Sequence, residues 1–293
     1  MSTAVVSVPA IAVPAWRDVI TLLKLRIGAL VVLTAAAAAF AAGGRDGVDL
    51  LVLLAACLAA SSGASALNHY LDRDLDARMA RTAGRPLPSG RIGNPRAVLW
   101  LGLGLVIASQ AAGPLIGWLP ALYLLAGAAV YAGLYTALLK RRTPYSIVIG
   151  GAAGSFAALA GWETAASTWS PAPQLLAAVL FLWTPSHFWS LSIVLEQDYR
   201  AAGVPALSAV AGAERTAAAV WANTLALVAA SLALAVYAGP VYLAVALPAG
   251  AGFLLYTHRL RRDPVTARAW LVFKLSGTYL LALLAALVLS TAV

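Results

Sequence analysis

The chain has 293 residues, 62% of them hydrophobic and 11% charged, with a formal charge of +9 from 20 Lys and Arg against 11 Asp and Glu. A soluble domain carries about 25% charged residues, and several apolar runs here reach the ~18 residues needed to cross a hydrocarbon layer of about 30 Å as helix. A water-soluble globular domain is therefore excluded, the lipid bilayer is the solvent, and the positive charge reports topology rather than a nucleic-acid partner.

Residues 1–16 hold two prolines and no Lys or Arg. They lack the basic n-region of a cleavable signal and read as a disordered tail ahead of one transmembrane domain over 17–293. Apolar segments follow at roughly 19–42, 48–68, 97–113, 118–138, 145–162, 174–195, 216–236, 239–257 and 269–291. Gly43-Gly44, Gly113-Pro114, Thr143-Pro144, Pro171 with Pro173, Gly239-Pro240 and Asp263-Pro264 punctuate them. This predicts an all-α integral membrane protein with nine spans and its two termini on opposite sides. Every Lys and Arg except Arg45 falls on the N-terminal flank or in connections 2–3, 4–5, 6–7 and 8–9. The positive-inside rule then sets those loops and the N-terminus in the cytoplasm and the C-terminus outside. Cys57 is the only cysteine, which leaves no intrachain disulfide or thiolate cluster. The long charged loops 2–3 and 6–7 suggest two related halves sharing one cavity.

The second span runs into Asn68-His69-Tyr70-Leu71-Asp72-Arg73-Asp74-Leu75-Asp76. If the helix continues, Asn68, Asp72 and Asp76 share one face. Oxygen ligands so placed suit Mg²⁺, a hard cation held by one or two carboxylates, waters and substrate phosphate oxygens. Asp74 falls on the opposite face, where it is expected to pair with a neighbouring Arg. A plain solvated loop of mutually neutralising charges is the alternative, but Asn68 and Asp72 sit at the edge of the hydrocarbon region, where such groups usually mark a site. After the fourth span come Lys140, Arg141 and Arg142, with Tyr135 about one turn earlier. They read as a clamp for diphosphate charge or as headgroup contacts. Lys140, nearest the helix end, is the better ligand, and Arg141 and Arg142 read as topology determinants.

The sixth span ends in Trp183-Thr184-Pro185-Ser186-His187-Phe188-Trp189 and runs on to Asp198. On one continuous helix, eleven positions would place His187 and Asp198 on nearly one face, ~16 Å apart. Pro185 is a candidate kink of the type tolerated beside a cavity. His187 reads either as a packed residue or as the contact of a large aromatic ligand, with Trp183 and Phe188 as stacking surface and the imidazole as base, hydrogen-bond partner or iron ligand. His69 adjoins the acidic face, His258 sits in a basic interfacial cluster, and three scattered histidines make no zinc signature.

Together these segments resemble the UbiA-type intramembrane prenyltransferases, and within them the haem-farnesylating branch. The resemblance rests on the N-x-x-x-D-R-D-x-D pattern from Asn68 to Asp76, followed by Arg81-Thr82 and by Arg85 to Arg91. It continues through Tyr135-Thr136, Lys140 to Pro144, Ile149 to Gly154, Gly161-Trp162, Trp183-Thr184-Pro185 with His187-Phe188-Trp189, and Asp198 to Pro205. It implies a nine-helix bundle whose central cavity opens at the cytoplasmic face of a bacterial inner membrane. It also implies farnesyl diphosphate as donor, a vinyl group of haem b as acceptor, and haem O for haem-copper terminal oxidases as product. Asn68, Asp72 and Asp76 would carry Mg²⁺. Arg81, Arg85, Lys140 and Asp198 would lie near the diphosphate, with Asp72, Asp76, Asp198 and Lys140 catalytic and Tyr135, Trp183 and His187 among the substrate contacts. Haem A synthase or terminal-oxidase assembly proteins are the implied partners. Ser186, Ser146 and Ala157-Ala158 depart from the family pattern, which leaves another tetrapyrrole or an aromatic acceptor as the alternative. A cation transporter would need polar groups near the midplane, whereas this chain concentrates its charge at one face.

Overall fold

The computed structural model describes residues 15–44, 47–166 and 170–291. Residues 1–14 of the expected tail, Arg45 and Val293 lie outside the described residues. In chain order the helices are α1 (Trp16–Leu23), α2 (Leu25–Ala41), α3 (Gly47–Asp76), α4 (Pro95–Ile116), α5 (Trp118–Leu139), α6 (Ser146–Gly150) and α7 (Ala152–Ala165). There follow α8 (Pro171–Val194), α9 (Glu196–Ala202), α10 (Leu207–Ala238), α11 (Pro240–Arg262) and α12 (Thr266–Leu289). The described residues contain no strand.

Seven helices (α3, α4, α5, α8, α10, α11 and α12) are long and apolar enough to cross a membrane, and α1 with α2, bent by 44° at their junction, makes an eighth if the pair is counted as one span. The expected span 145–162 is divided at Gly151 into α6 and α7, so nine crossings require counting that divided stretch as one. The described chain ends lie at opposite ends of the bundle. Asp18 of α1 pairs with Arg91 after α3 at 2.9 Å, whereas Ser290 and Thr291 line a cavity of about 240 Å³ with Ala41 at the far end of α2.

Lipid is as apolar as a leucine side chain, so packing between spans depends on close backbone approach. A Cβ on Gly161 would lie 2.1 Å from the Ala35 carbonyl oxygen, which brings α2 and α7 into backbone contact. Faces of these two helices join both major cores. Ala37, Ala38 and Ala158 pack with α8 and α10 to α12, while Ala35, Ala39, Ala157 and Ala160 pack with α3 to α5.

Two features carry the polar residues to one end. At 1.5 Å per residue the 30-residue α3 is about 45 Å long. It outruns the hydrocarbon layer and delivers its final turns to the polar boundary. The second half of α5, Ala129–Leu139, is wound as a π-helix, with the Lys140 N–H bonded to Tyr135 O at 2.8 Å. Such wide i→i+5 turns are frequent at functional sites. Gly150 leaves the room that the Tyr135 ring occupies, since a Cβ there would lie 2.8 Å from it.

Candidate active site

The last three turns of α3 present Asn68, Asp72 and Asp76 as buried side chains on one face, the geometry expected of a helix that continues to Asp76. Asn68 Nδ2 donates to Asp72 Oδ2 at 2.7 Å and to Thr136 Oγ1 at 3.1 Å. Lys24 Nζ, from the α1–α2 bend, donates to Asn68 Oδ1 at 2.6 Å and lies 3.4 Å from the Tyr131 hydroxyl. Lys140 Nζ, at the end of α5, reaches Asp72 Oδ2 at 2.5 Å. Arg85, in the connection after α3, spans both oxygens of Asp76 at 2.8 and 2.7 Å.

The opposite side of α3 behaves differently. Asp74 is half-exposed and forms a two-point pair with Arg141 at 2.7 Å on each oxygen. That hydrogen bond raises the Arg141 pKa further above its ordinary value, and the pair closes on itself.

The second half of the chain contributes α9. Asp198 lies 3.5 Å from Arg81 Nε, and the Arg81 guanidinium sits 5.7 Å from the Tyr199 ring centre. Tyr199 packs with Leu75 and Met79, which locks the two charged loops together over the end of the bundle. Burial pushes its phenol above the ordinary pKa, so it stays neutral. A narrow cleft beside Lys140 is lined by Tyr135, Ile147, Phe188, Trp189 and Tyr199.

Four cations (Lys24, Arg81, Arg85 and Lys140) thus face three carboxylates (Asp72, Asp76 and Asp198). Among the described residues no three His, Cys, Asp or Glu side chains gather into a protein-only metal cage. Mg²⁺ does not need one, because it takes one or two carboxylates and completes its shell with water and phosphate. Asp72 Oδ1 is buried with no hydrogen-bond partner. Burying such an oxygen unsatisfied is costly, and a divalent cation would satisfy it.

Trp183 and His187 lie elsewhere. His187 Nδ1 is 2.6 Å from Ser276 Oγ, and Trp183 Nε1 donates to Ser276 O at 2.7 Å. Trp183, His187, Phe273 and Trp270 stack in that order with ring centres 4.4, 4.3 and 5.2 Å apart, forming an aromatic column between α8 and α12. The expectation that His187 and Asp198 share a face of one continuous helix is corrected: α8 ends at Val194, Leu195 turns the chain (φ −106°, ψ 22°), and α9 starts afresh. Pro185 is accommodated within α8, where Asn223 Nδ2 donates to Leu182 O at 2.6 Å. His258 lies 5.9 Å from Trp221 with the two rings tilted by 59°, and Arg261 is 4.6 Å from the same indole, in the basic cluster expected for it.

Lys24 and Tyr131 enter the site without having been singled out from the sequence, and Thr136, noted only as part of the Tyr135-Thr136 segment, joins them. A lysine at the start of an apolar span reads first as a topology signal, and nothing local marks the bend that turns it inward.

Residues 30–289 match the model of the UbiA prenyltransferase family. The chain is 42% identical to "Protoheme IX farnesyltransferase 1" of Cenarchaeum symbiosum (strain A), over 94% of this chain and 96% of the relative. It is 46% identical to "Protoheme IX farnesyltransferase 1" of Paramagnetospirillum magneticum, over 87% and 90%. Among solved structures, a UbiA homologue from Archaeoglobus fulgidus bound to DMAPP and Mg²⁺ superposes with a TM-score of 0.71 at 17% identity, covering 92% of this chain and 99% of the other. A UbiA homologue from Aeropyrum pernix K1 gives 0.74 at 21% identity, covering 90% and 98%. At those identities the structural likeness speaks for the fold.

Proposed function

The chain belongs to the UbiA prenyltransferase family, and from that premise we propose that it is a multi-pass membrane enzyme that transfers the farnesyl group of farnesyl diphosphate to a vinyl group of haem b, making haem O. Relatives named for that reaction match it over nearly their whole length at 40–46% identity, which supports the acceptor. The geometric observation that carries the donor end is the buried, partnerless Asp72 Oδ1 within a ring of four cations. Asn68, Asp72 and Asp76 would hold Mg²⁺, which when bound neutralises part of the diphosphate charge. The Archaeoglobus homologue bound to DMAPP and Mg²⁺ supports that pairing of metal with a prenyl diphosphate.

The chain's own groups do the rest. Lys140, Arg81 and Arg85 are preorganised to receive negative charge as the allylic C–O bond breaks and diphosphate departs. The aromatic side chains of the cleft beside Lys140 offer apolar surface to the allylic end of the donor and help keep water from it. The haem vinyl carbon bonds to farnesyl C1. A water then adds its oxygen to the adjacent vinyl carbon and gives up a proton, leaving the hydroxyethylfarnesyl substituent. Trp183 and His187 supply an aromatic surface for the porphyrin.

The basic loops gather at one end of the bundle through the Arg91–Asp18, Lys140–Asp72, Arg141–Asp74 and Arg81–Asp198 pairs. This supports a cytoplasmic mouth, an N-terminus inside and a C-terminus outside the bacterial inner membrane. The test is to incubate purified protein with Mg²⁺, farnesyl diphosphate and haem b and identify the product by mass spectrometry. Haem O is expected. Farnesylation of a different tetrapyrrole or an aromatic acid in preference to haem b would move the acceptor assignment.

A further inference from the structure

Lys24 is the one non-glycine residue with positive φ among the described residues, at φ 46° and ψ 50°. L-residues rarely take this conformation, and where they do the surroundings hold them there. Here it produces the 44° bend between α1 and α2 and turns the ammonium onto Asn68. The α1 arm is held from outside by the Asp18–Arg91 pair and by Leu22, which packs with Val98 of α4 and with Leu87 and Ile92 of the same connection that carries Arg85.

The contact has an exclusive character. Lysine can only donate, so the Asn68 amide must show it Oδ1, and the amide nitrogen is already committed to Asp72 and Thr136. Asn68 therefore has one acceptor oxygen, and Lys24 occupies one of its two lone-pair positions. A dication and an ammonium on the same oxygen would repel each other strongly at so short a range.

Resting on the reading of this site as a metal and prenyl diphosphate site, we propose that Lys24 is a diphosphate-binding residue that gives up Asn68 Oδ1 to the metal and transfers its ammonium to the incoming diphosphate. Metal and diphosphate then load as a coupled pair, because the group displaced by the first is a ligand for the second. The coupling is reciprocal. In the empty site Lys24 acts as a competitor of the cation, and in the loaded site it is a further clamp on the leaving group.

The sign of one change separates this from a scaffold role. Lys24→Gly removes the ammonium while glycine suits the left-handed backbone, so the bend survives. Lys24→Arg keeps a cation. The intact protein in detergent is titrated with Mn²⁺ alone, and with unreactive farnesyl thiodiphosphate in the presence and absence of Mn²⁺. In Lys24→Gly the affinity for Mn²⁺ alone should rise or hold, because its competitor is gone. Farnesyl thiodiphosphate should bind about 10-fold more weakly with Mn²⁺ present, with a smaller coupling between the two ligands. Lys24→Arg should recover much of the diphosphate affinity. Weaker Mn²⁺ binding in Lys24→Gly would show that Lys24 merely orients Asn68 and would overturn the proposal, as would unchanged thiodiphosphate affinity. If the wild-type protein binds no farnesyl thiodiphosphate at all, the reading of the site itself fails, a different result from either of these.

Discussion

The charged mouth and the aromatic column are built on different principles. At the mouth α3, α5, α9, the α1–α2 bend and the connection after α3 each send charged or polar groups to a common point, and apart from the local Arg85–Asp76 pair the contacts between them join residues from 44 positions apart (Lys24–Asn68) to 117 apart (Arg81–Asp198). The column needs only α8 and α12, and its polar contacts are two hydrogen bonds to Ser276. A site for a small, highly charged group requires convergence from several elements, each contributing one or two charges. A flat apolar surface can be made where two helices touch. The two regions should therefore fail independently when mutated.

Asp72→Asn should do the most damage. It removes a candidate metal oxygen and leaves Lys140 without its carboxylate partner, so turnover is expected to fall by ~10³-fold or more, in line with loss of a preorganised electrostatic group. Farnesyl thiodiphosphate binding should lose its Mg²⁺ dependence, which a titration with and without the metal reads directly. Lys140→Met keeps the acidic face and should cost ~10²-fold in kcat, checked by single-turnover rates at saturating donor. At the column, His187→Ala should weaken haem b binding about 10-fold while farnesyl thiodiphosphate affinity stays within ~2-fold. Absorbance titration follows the first and competition the second. Asp74→Asn is the control on the same helix. Its half-exposed pair with Arg141 is worth about 0.2–1 kcal/mol, so turnover should remain within ~3-fold of wild type. A loss at Asp74 equal to that at Asp72 would dissolve the distinction between the two faces of α3.

The polar face of α3 was legible in the sequence because helical periodicity is local: once the span continues to Asp76, the i, i+4, i+8 positions align without help from the rest of the chain. That Asp74 leaves this face and pairs with an Arg was expected too, but its partner, Arg141, lies 67 positions away and had read as a topology determinant rather than as that partner. Three other features were not legible. The left-handed Lys24 sits in Leu22-Leu23-Lys24-Leu25 with no Gly or Pro to mark a bend, and the packing of α1 onto the connection after α3 imposes it. Leu195 breaks the α8–α9 stretch in the same unmarked way, and this separated His187 from Asp198. The π-helical half of α5 depends on hydrogen bonding that composition does not encode, yet it carries Tyr135 and Thr136 into the site. The long apolar helices followed from the residues, whereas their breaks, the π-helical winding and the partners of their polar groups followed from tertiary contacts.

Crossed titrations of Asp72→Asn and His187→Ala, each with haem b by absorbance and with farnesyl thiodiphosphate plus Mg²⁺ by competition, test the division of labour most directly. Asp72→Asn should lose thiodiphosphate affinity and keep haem binding, and His187→Ala should do the reverse. Parallel loss of both ligands in either variant would contradict two separable regions and reduce the column to packing between α8 and α12.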